Sequence, residues 1–352
     1  MIYLIAADGK IPNIAIGRLL TYFRQRGDSV RVLRKVSDYE KGRDPPPSRI
    51  YGSAIFTTTA SVMRRYEEAL GEITWGGTGV RIESNLSEID PEIDSLRPDF
   101  SPWPEFTASV GYLTTGCRLA CDFCCVPKKE GKPKAVASVY DLWRGDPYPR
   151  HLMLLDNDAF APKLRDHWTK AVREIREGKF SVCFSQGINL RLIDDESAAA
   201  LSSIFYVGND FSPKTRKLYT AWDSISDESL FERGIERLRR AGIKPNRLCV
   251  YMLIGFAPGE TWEAIFYRYH RIFRELGADP YPNPYERHLR PDLRHFQRWV
   301  LGRSHKSVPF PEYKPLPEPL RELITPAWNR VMRGEWKPSS RRLMVVRSSA
   351  SL

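Results

Sequence analysis

Four of the six cysteines in this 352-residue chain lie within nine positions, in the stretch "GCRLACDFCC". The other two lie far along the chain, inside apolar runs that are typical of buried strands. Thiols crowded together in this way indicate metal or redox chemistry in a reducing compartment, and not a disulfide framework. The first question is therefore which metal group this spacing fits.

Three of the crowded thiols, Cys117, Cys121 and Cys124, have the spacing C-x3-C-x2-C. A zinc site takes four ligands, usually as two separated pairs, and the sequence has no second pair. A cluster held by four cysteines would also lack one ligand. Three thiolates on a [4Fe–4S] cluster would leave one iron open for a substrate or cosubstrate. Cys125 is interpreted as a small packing residue, with a spare ligand or a redox-active neighbour as the alternatives.

At this point the segment "CRLACDFC" resembles the C-x3-C-x-aromatic-C signature of radical S-adenosylmethionine (SAM) enzymes, and the resemblance covers about residues 105–286. It implies that Cys117, Cys121 and Cys124 hold a [4Fe–4S] cluster whose open iron chelates SAM. One-electron reduction then cleaves the sulfonium, and the 5′-deoxyadenosyl radical abstracts hydrogen from a substrate. The resemblance also implies an electron donor such as flavodoxin or ferredoxin.

Further SAM contacts follow from the same resemblance. Phe123, before the last cysteine, is expected near the adenine, and the backbone of Met252 and Ile254 in "YMLIGFAPGET" is expected to face it, although Tyr251 replaces the first glycine of the family pattern. Polar residues at other strand ends are expected to contact the amine, the ribose and the carboxylate of SAM: Asp156, Asn157, Asp158, Gln186, Asn189, Arg191 and Asn209. Caps and turns favour the same residue types at strand ends, so a local structural role is the alternative for each.

The elements that must position these residues alternate between strand and helix patterns. The first 83 residues begin with the apolar run "MIYLIA", and Asn13 is predicted to cap a helix that ends at Gly27. This alternation predicts a Rossmann-like α/β domain with a parallel sheet. The glycines of "GGTG", at 76–79, lie at a predicted strand end, where they would make a tight turn or approach a backbone or a phosphate.

Residues 84–108 are rich in Pro, Ser and acidic residues and are predicted to be a linker lying across the surface. Residues 109–286 contain six strand–helix patterns, which predict a partial (β/α)6 barrel, the radical SAM barrel that the resemblance implies. Residues 287–352 are predicted to form a basic, mostly helical extension. The predicted fold class is therefore α/β.

The N-terminal domain resembles the cobalamin-binding domains that precede some radical SAM barrels. It lacks the D-x-H-x-x-G motif, however, because the first histidine in the chain is His151. We therefore expect a cobalamin-binding-like fold without cobalamin. No cysteine precedes Cys117, so the sequence argues against methylthiotransferases, which use a second cluster in this domain.

The net charge of +11 is concentrated near the C-terminus, where residues 287–352 contain 14 Lys and Arg but 5 Asp and Glu. Aromatic residues lie among these cations and include Trp299 and Trp336. This pattern suits a nucleic acid or nucleotide partner, with cations for the phosphates and rings for the bases. The alternative is a helical appendage that packs on the barrel through its aromatic residues.

The composition is that of a globular protein, with 42% hydrophobic and 28% charged residues. No run of 18 apolar residues is present, and the N-terminal stretch lacks the pattern of a signal peptide, so we expect a cytoplasmic protein without a membrane partner. The sequence predicts a radical SAM enzyme that modifies or rearranges a nucleobase, a nucleotide or DNA. The alternatives are a cobalamin-dependent radical SAM methyltransferase and a nucleic-acid-binding protein with a structural cluster.

Overall fold

The structure is a computed structural model that describes residues 1–9, 11–286 and 290–338. The chain divides into two compact units, Met1–Leu152 and Met153–Leu352. The predicted domain limits are finer than this division and remain predictions. Both units combine helices with parallel strands, which confirms the α/β class. Within the described residues, no helix has the length and apolar character needed to cross a membrane.

The first unit begins with a four-stranded sheet of order β2-β1-β3-β4 in which every neighbouring pair is parallel. The strands are β1 (Ile2–Ala6), β2 (Val30–Leu33), β3 (Arg49–Ser53) and β4 (Thr74–Gly76). All five residues of β1 are buried, as expected for a central strand covered on both faces. Helix α1 (Ile14–Gln25) connects β1 to β2, and α2 (Ala60–Leu70) connects β3 to β4.

Helix α1 confirms the predicted cap and the predicted apolar face. The Asn13 side chain accepts a hydrogen bond from the Ile16 backbone N–H at 3.1 Å, which satisfies one of the free amides of the first turn. The amide of Asn13 also donates to Ser53 Oγ at 3.0 Å and so joins the helix start to the end of β3. The predicted core positions of α1 are all buried: Ile16, Leu19, Leu20 and Phe23.

The predicted linker lies across α1, as expected. Its described residues contain only short 3-10 turns, at Leu86–Glu88 and Pro91–Ser95. The carboxylate of Asp90 accepts from the Tyr22 hydroxyl at 2.8 Å, and the Asp99 N–H donates to the Gly17 carbonyl at 3.0 Å. A side chain at Gly17 would place a Cβ 2.9 Å from the Cβ of Pro98, so this close crossing requires glycine.

The rest of the first unit differs from its predicted single strand over "TASVGYLTT". That stretch forms two short strands, β5 (Ser109–Gly111) and β6 (Thr114–Thr115). The second of these pairs antiparallel with β7 (Lys134–Ala135), a hairpin that the sequence did not reveal. Helix α3 (Val126–Lys129) lies between the two hairpin strands, and helix α4 (Val139–Leu142) follows them.

The second unit contains two separate parallel sheets among its described residues, with the orders β10-β9-β8 and β11-β12-β13. The strands are β8 (His151–Leu154), which begins at the division, β9 (Ser181–Phe184), β10 (Phe205–Tyr206), β11 (Leu218–Ala221), β12 (Leu248–Ile254) and β13 (Asp279–Pro284). The helices between them are α5 (Arg165–Glu177), α6 (Asp195–Ser203), α7 (Glu228–Arg240) and α8 (Trp262–His270). The sequence predicted one strand where β10 and β11 lie, and the predicted barrel remains a prediction.

Strand β13, with the sequence DPYPNP, forms the edge of its sheet and pairs only with β12. Its prolines occupy alternate positions, so their missing N–H groups all fall on one side of the strand, away from the partner. On the other side the Tyr285 N–H continues the pairing by donating to the Ile254 carbonyl at 2.9 Å.

The C-terminal helices α9 (Pro291–Leu301) and α10 (Glu318–Met332) pack on α8 through a large aromatic cluster. Trp299 has no exposed surface, and its ring centroid lies 5.1 Å from that of Tyr269 and 5.2 Å from that of Phe310. The prediction that Trp299 stacks on a base is therefore wrong, because its ring is part of this core. The ring of Trp336, only partly buried, contacts Tyr267.

His305 is buried at the edge of the same cluster, with its ring centroid 4.7 Å from that of Phe273. Burial lowers the pKa of His305, and the charge of Lys306 lowers it further. The carbonyls of Val300 and Trp299 and the carboxylate of Asp279 act in the opposite direction. The neutral imidazole is thus the form that the folded cluster accommodates.

Candidate functional site

The cysteines lie in a loop, residues 116–133, whose two ends are joined by the β6–β7 hairpin. Thr115 pairs with Lys134 at the base of the loop. The thiols of this loop are all half-buried and free: Cys117, Cys121, Cys124 and Cys125. The hairpin therefore holds three predicted ligands in one closed segment of the first unit.

The first cysteine is held by backbone contacts on both of its sides. Gly116 has a φ of +84°, and a Cβ at this position would lie 2.4 Å from the Lys132 carbonyl oxygen, so only glycine fits. The Cys117 N–H donates to the Gly131 carbonyl at 3.1 Å. The Leu119 N–H points at Cys117 Sγ at 3.4 Å, a contact that stabilises a thiolate more than a thiol.

The last two cysteines lead into helix α3. The Cys124 N–H donates to the Cys121 carbonyl at 2.9 Å and closes a turn between two predicted ligands. The Cys125 carbonyl accepts from the N–H of Lys128 at 3.1 Å and from that of Lys129 at 2.9 Å, which fixes the first turn of the helix. The Lys129 ammonium in turn donates to the Ser84 carbonyl, so the loop is tied to the predicted linker.

The thiols are close enough to influence one another electrostatically. The pKa of Cys124 is raised, first by burial and then by the neighbouring thiols of Cys125, Cys121 and Cys117, while the backbone amide of Val126 lowers it. A group of negative thiolates in a half-buried loop is unfavourable on its own. A cation that neutralises several thiolates would relieve this repulsion.

The donor set fits a cluster better than a single ion. Among the described residues, no three His, Cys, Asp or Glu side chains converge as ligands of one metal ion. The cysteines that hold a [4Fe–4S] cluster each bind a different iron, so they surround the cluster and do not meet at one point. Three mutually interacting thiols in one loop, with an N–H group directed at the first sulfur, are compatible with that group. Phe123 is half-buried between the second and third ligands.

The remaining predicted site residues lie in the second unit. Asp156 and Asp158, which follow β8, are 2% exposed, and Asn157 between them is half-buried. After β9, Gln186 is exposed and Asn189 is half-buried. The two carboxylates are thus withdrawn from solvent, whereas the two amides are accessible to a ligand.

Arg191 has a partner in the structure that the sequence did not indicate. Its guanidinium forms an ion pair with the Asp227 carboxylate at 3.0 Å, and both side chains are about four-fifths buried. A carboxylate of SAM would have to share or displace Asp227 to bind this guanidinium. Asn209, at the end of β10, is exposed, and its backbone N–H donates to the Tyr219 hydroxyl at 3.2 Å.

Met252 and Ile254 have completely buried side chains, so only their backbone can meet a ligand. They alternate along β12 with half-buried Tyr251 and Leu253, which lie on the opposite face. This agrees with the expectation that the backbone of this strand, and not its side chains, contacts the adenine. The contact itself remains a prediction.

A row of three tyrosines on that opposite face is the main feature that the sequence analysis missed. The rings of Tyr219 and Tyr251 are stacked with centroids 5.8 Å apart, and Tyr281 meets Tyr251 edge-on at 5.3 Å. The Tyr251 hydroxyl donates to the Ser185 carbonyl at 3.2 Å. Burial raises the pKa of Tyr219 to about 12, so this ring stays neutral. Each tyrosine occupies a half-exposed position of its strand, and this alternation was the available signal.

A buried guanidinium holds the ends of β11 and β12. Arg268, on α8, has no exposed surface and donates to the carbonyls of Trp222 at 2.8 Å and Leu253 at 3.0 Å. It also pairs with Glu260, whose second oxygen accepts from the Gly255 N–H at 2.5 Å. Burial lowers the pKa of Arg268, and the charge of Glu260 opposes this effect. The loop after β12 is therefore fixed by one ion pair.

The "GGTG" glycines are explained by a close approach of two backbones in the first unit. A Cβ at Gly77 would lie 2.3 Å from the Ala54 carbonyl oxygen, and one at Gly79 would lie 2.6 Å from the Phe56 carbonyl carbon. The Gly79 N–H donates to the Ala54 carbonyl at 3.0 Å. This confirms the backbone approach that the sequence suggested as one reading of the motif.

The basic C-terminal region presents part of its charge to solvent. Arg298 and Arg303 are exposed and Arg294 is half-buried. Arg287, at its predicted start, and Arg341, Arg342 and Arg347 lie outside the described residues. The described cations therefore include exposed residues on and beyond α9 that suit an anionic partner.

Comparison with protein-family models found no model that matches the chain, and comparison with curated proteins found no matching sequence. The family resemblance therefore depends on the cysteine motif and on the order of strands and helices.

Proposed function

We propose that this protein is a radical SAM enzyme, with Cys117, Cys121 and Cys124 as the ligands of a [4Fe–4S] cluster. The observation that carries the proposal is the closed loop of three mutually interacting thiols, in which the Leu119 N–H is directed at Cys117 Sγ. When bound, the cluster and SAM supply a 5′-deoxyadenosyl radical by reductive cleavage of the sulfonium.

The protein's own contribution is to bind and orient. The three thiols must be deprotonated to bind iron, and the Leu119 N–H favours the charged form of the first one. In the second unit, the half-buried amide of Asn189 and the exposed amide of Gln186 offer polar contacts to a ligand. The β12 backbone, fixed by Arg268 and Glu260, offers a rigid surface beside the half-buried Tyr251.

The substrate class that we propose is a nucleobase within a nucleotide or a nucleic acid. Its support is the exposed positive charge of α9 and the turn after it, where Arg298 and Arg303 lie. Phosphates bind such cations with release of counterions, which makes the affinity strongly salt-dependent. Because the aromatic core takes up Trp299, the steering of this partner depends on charge and not on that ring.

The decisive experiment is anaerobic reconstitution followed by reduction in the presence of SAM. We expect about four irons per chain and formation of 5′-deoxyadenosine. Cys121→Ala should lose both, whereas Cys183→Ala is the matched control, because this completely buried cysteine lies in β9, outside the loop.

Two results would contradict the proposal. One is a cluster that persists in Cys121→Ala, and the other is a wild-type cluster that does not cleave SAM under reduction. The second result would favour a nucleic-acid-binding protein with a structural cluster. Stoichiometric cobalamin that co-purifies with the protein would instead favour methyl transfer.

A further inference from the structure

Glu130 is the residue that links the two ends of the cysteine loop. It directly follows helix α3, which begins after Cys125, and its N–H donates to the Val126 carbonyl at 2.8 Å. Its carboxylate oxygen Oε2 accepts from the Gly116 N–H at 2.7 Å. A single side chain thus joins the segment after the last thiol to the residue before the first one.

The position of Gly116 leaves little freedom for this contact to be replaced. Its left-handed backbone and its approach to Lys132 set the direction of its N–H group. The next amide, that of Cys117, donates to the Gly131 carbonyl at 3.1 Å. Two successive amides therefore bond to two successive residues, the first to the Glu130 side chain and the second to the Gly131 backbone.

We propose that Glu130 is a positioning residue that holds Cys117 at the correct distance from Cys121 and Cys124 for cluster binding. This inference rests on the proposed cluster. A carboxylate suits the task because a hydrogen bond from an amide to a charged acceptor is stronger than one to a neutral acceptor. Without it, the Gly116 N–H would lose this acceptor, and the first thiol would move independently of the other two.

The test uses two variants and a control in the full chain. Glu130→Ala removes the acceptor, whereas Glu130→Gln keeps an oxygen that can accept from Gly116 and removes the charge. Lys128→Ala is the control, because this exposed residue of α3 lies two positions away. Two quantities are measured: iron per chain after anaerobic reconstitution, and the rate at which iodoacetamide alkylates Cys117 in the metal-free protein.

For Glu130→Ala, we expect much lower iron content and Cys117 alkylation that is on the order of tenfold faster, as for loss of a hydrogen bond to a charged group. Glu130→Gln should recover most of the iron, and its cluster should have a higher reduction potential, because net charge near a cluster sets that potential. Lys128→Ala should match the wild type in iron content and alkylation rate.

The inference is overturned if Glu130→Ala matches the wild type in iron content and in Cys117 alkylation. Equal loss in Glu130→Ala and Lys128→Ala would also overturn it, because the effect would then not be specific to the carboxylate. Failure of the wild type itself to bind a cluster would contradict the proposed function instead. In that case the alkylation rates of the metal-free proteins still decide whether Glu130 holds Cys117 in place.

Discussion

Removal of the Arg268 guanidinium is the most direct test of how the second unit fixes its strand ends. In Arg268→Met, the Glu260 carboxylate would remain, only 8% exposed, without its cation. The carbonyls of Trp222 and Leu253 would also lose their donors. Breaking a buried ion pair on one side costs about 3–5 kcal/mol, because the remaining charge stays buried and unpaired.

This cost converts to a large shift in melting temperature. For a unit of this size, each kcal/mol lowers Tm by about 2–4 °C, so Arg268→Met should lower the Tm of the second unit by roughly 6–20 °C. Calorimetry measures the shift, and hydrogen exchange of the β12 amides shows whether it arises at this strand. The double variant Arg268→Met/Glu260→Leu should recover part of the loss, since it removes the unpaired carboxylate.

A matched control is Arg271→Met, three residues along the chain. Arg271 also pairs with carboxylates, those of Glu232 and Glu275, but it is 26% exposed and its partners are more exposed still. Such a pair contributes about 0–1 kcal/mol. If Arg268→Met lowered Tm no more than Arg271→Met does, the reasoning about the buried pair would be refuted.

Three further predictions concern other parts of the chain. Gly77→Ala should destabilise the first unit by more than Gly71→Ala in urea unfolding; both glycines have positive φ, which costs a residue with a side chain about 1–3 kcal/mol, but only Gly77 would also meet the Ala54 carbonyl. His305→Phe should remove part of the stability loss on acidification: the folded state depresses the pKa of His305, so its contribution is complete above the usual value of about 6.5 and falls as the pH drops below it, and equal Tm-against-pH curves for both proteins would contradict this. Charge reversal at Arg298 and Arg303 should reduce the slope of log affinity for single-stranded DNA against log salt by about 0.7 per lost phosphate contact, while iron content stays unchanged; an unaltered slope would exclude these residues from the interface.

The sequence predicted best those features that depend on local chemistry. The Asn13 cap, the buried face of α1 and the strand β1 are confirmed because each is determined by a few neighbouring residues and one clear periodicity. The close approach that requires Gly77 was also foreseen as one alternative. The position of the cysteine loop directly after a strand is confirmed as well, since β6 ends at Thr115.

Features that depend on contacts between distant residues were missed. The two-residue strands β6 and β7 are too short to produce a pattern, and β10 and β11 were merged because a turn without a helix separates them. Trp299 was assigned to a surface on charge alone, although the spacing of Leu293, Phe296 and Val300 around it marks a buried helix face. The Arg191–Asp227 pair joins residues 36 positions apart, which no local pattern indicates.

The hairpin at the base of the cysteine loop has a thermodynamic consequence. A ligand that gathers thiols from a disordered chain must overcome the conformational entropy of closing that chain. Here the pairing of Thr115 with Lys134 already closes residues 116–133. Folding of the first unit therefore bears this entropic cost before any iron arrives. Iron affinity and the stability of two very short strands are then linked, so a change that weakens the hairpin should weaken iron binding even though every thiol remains.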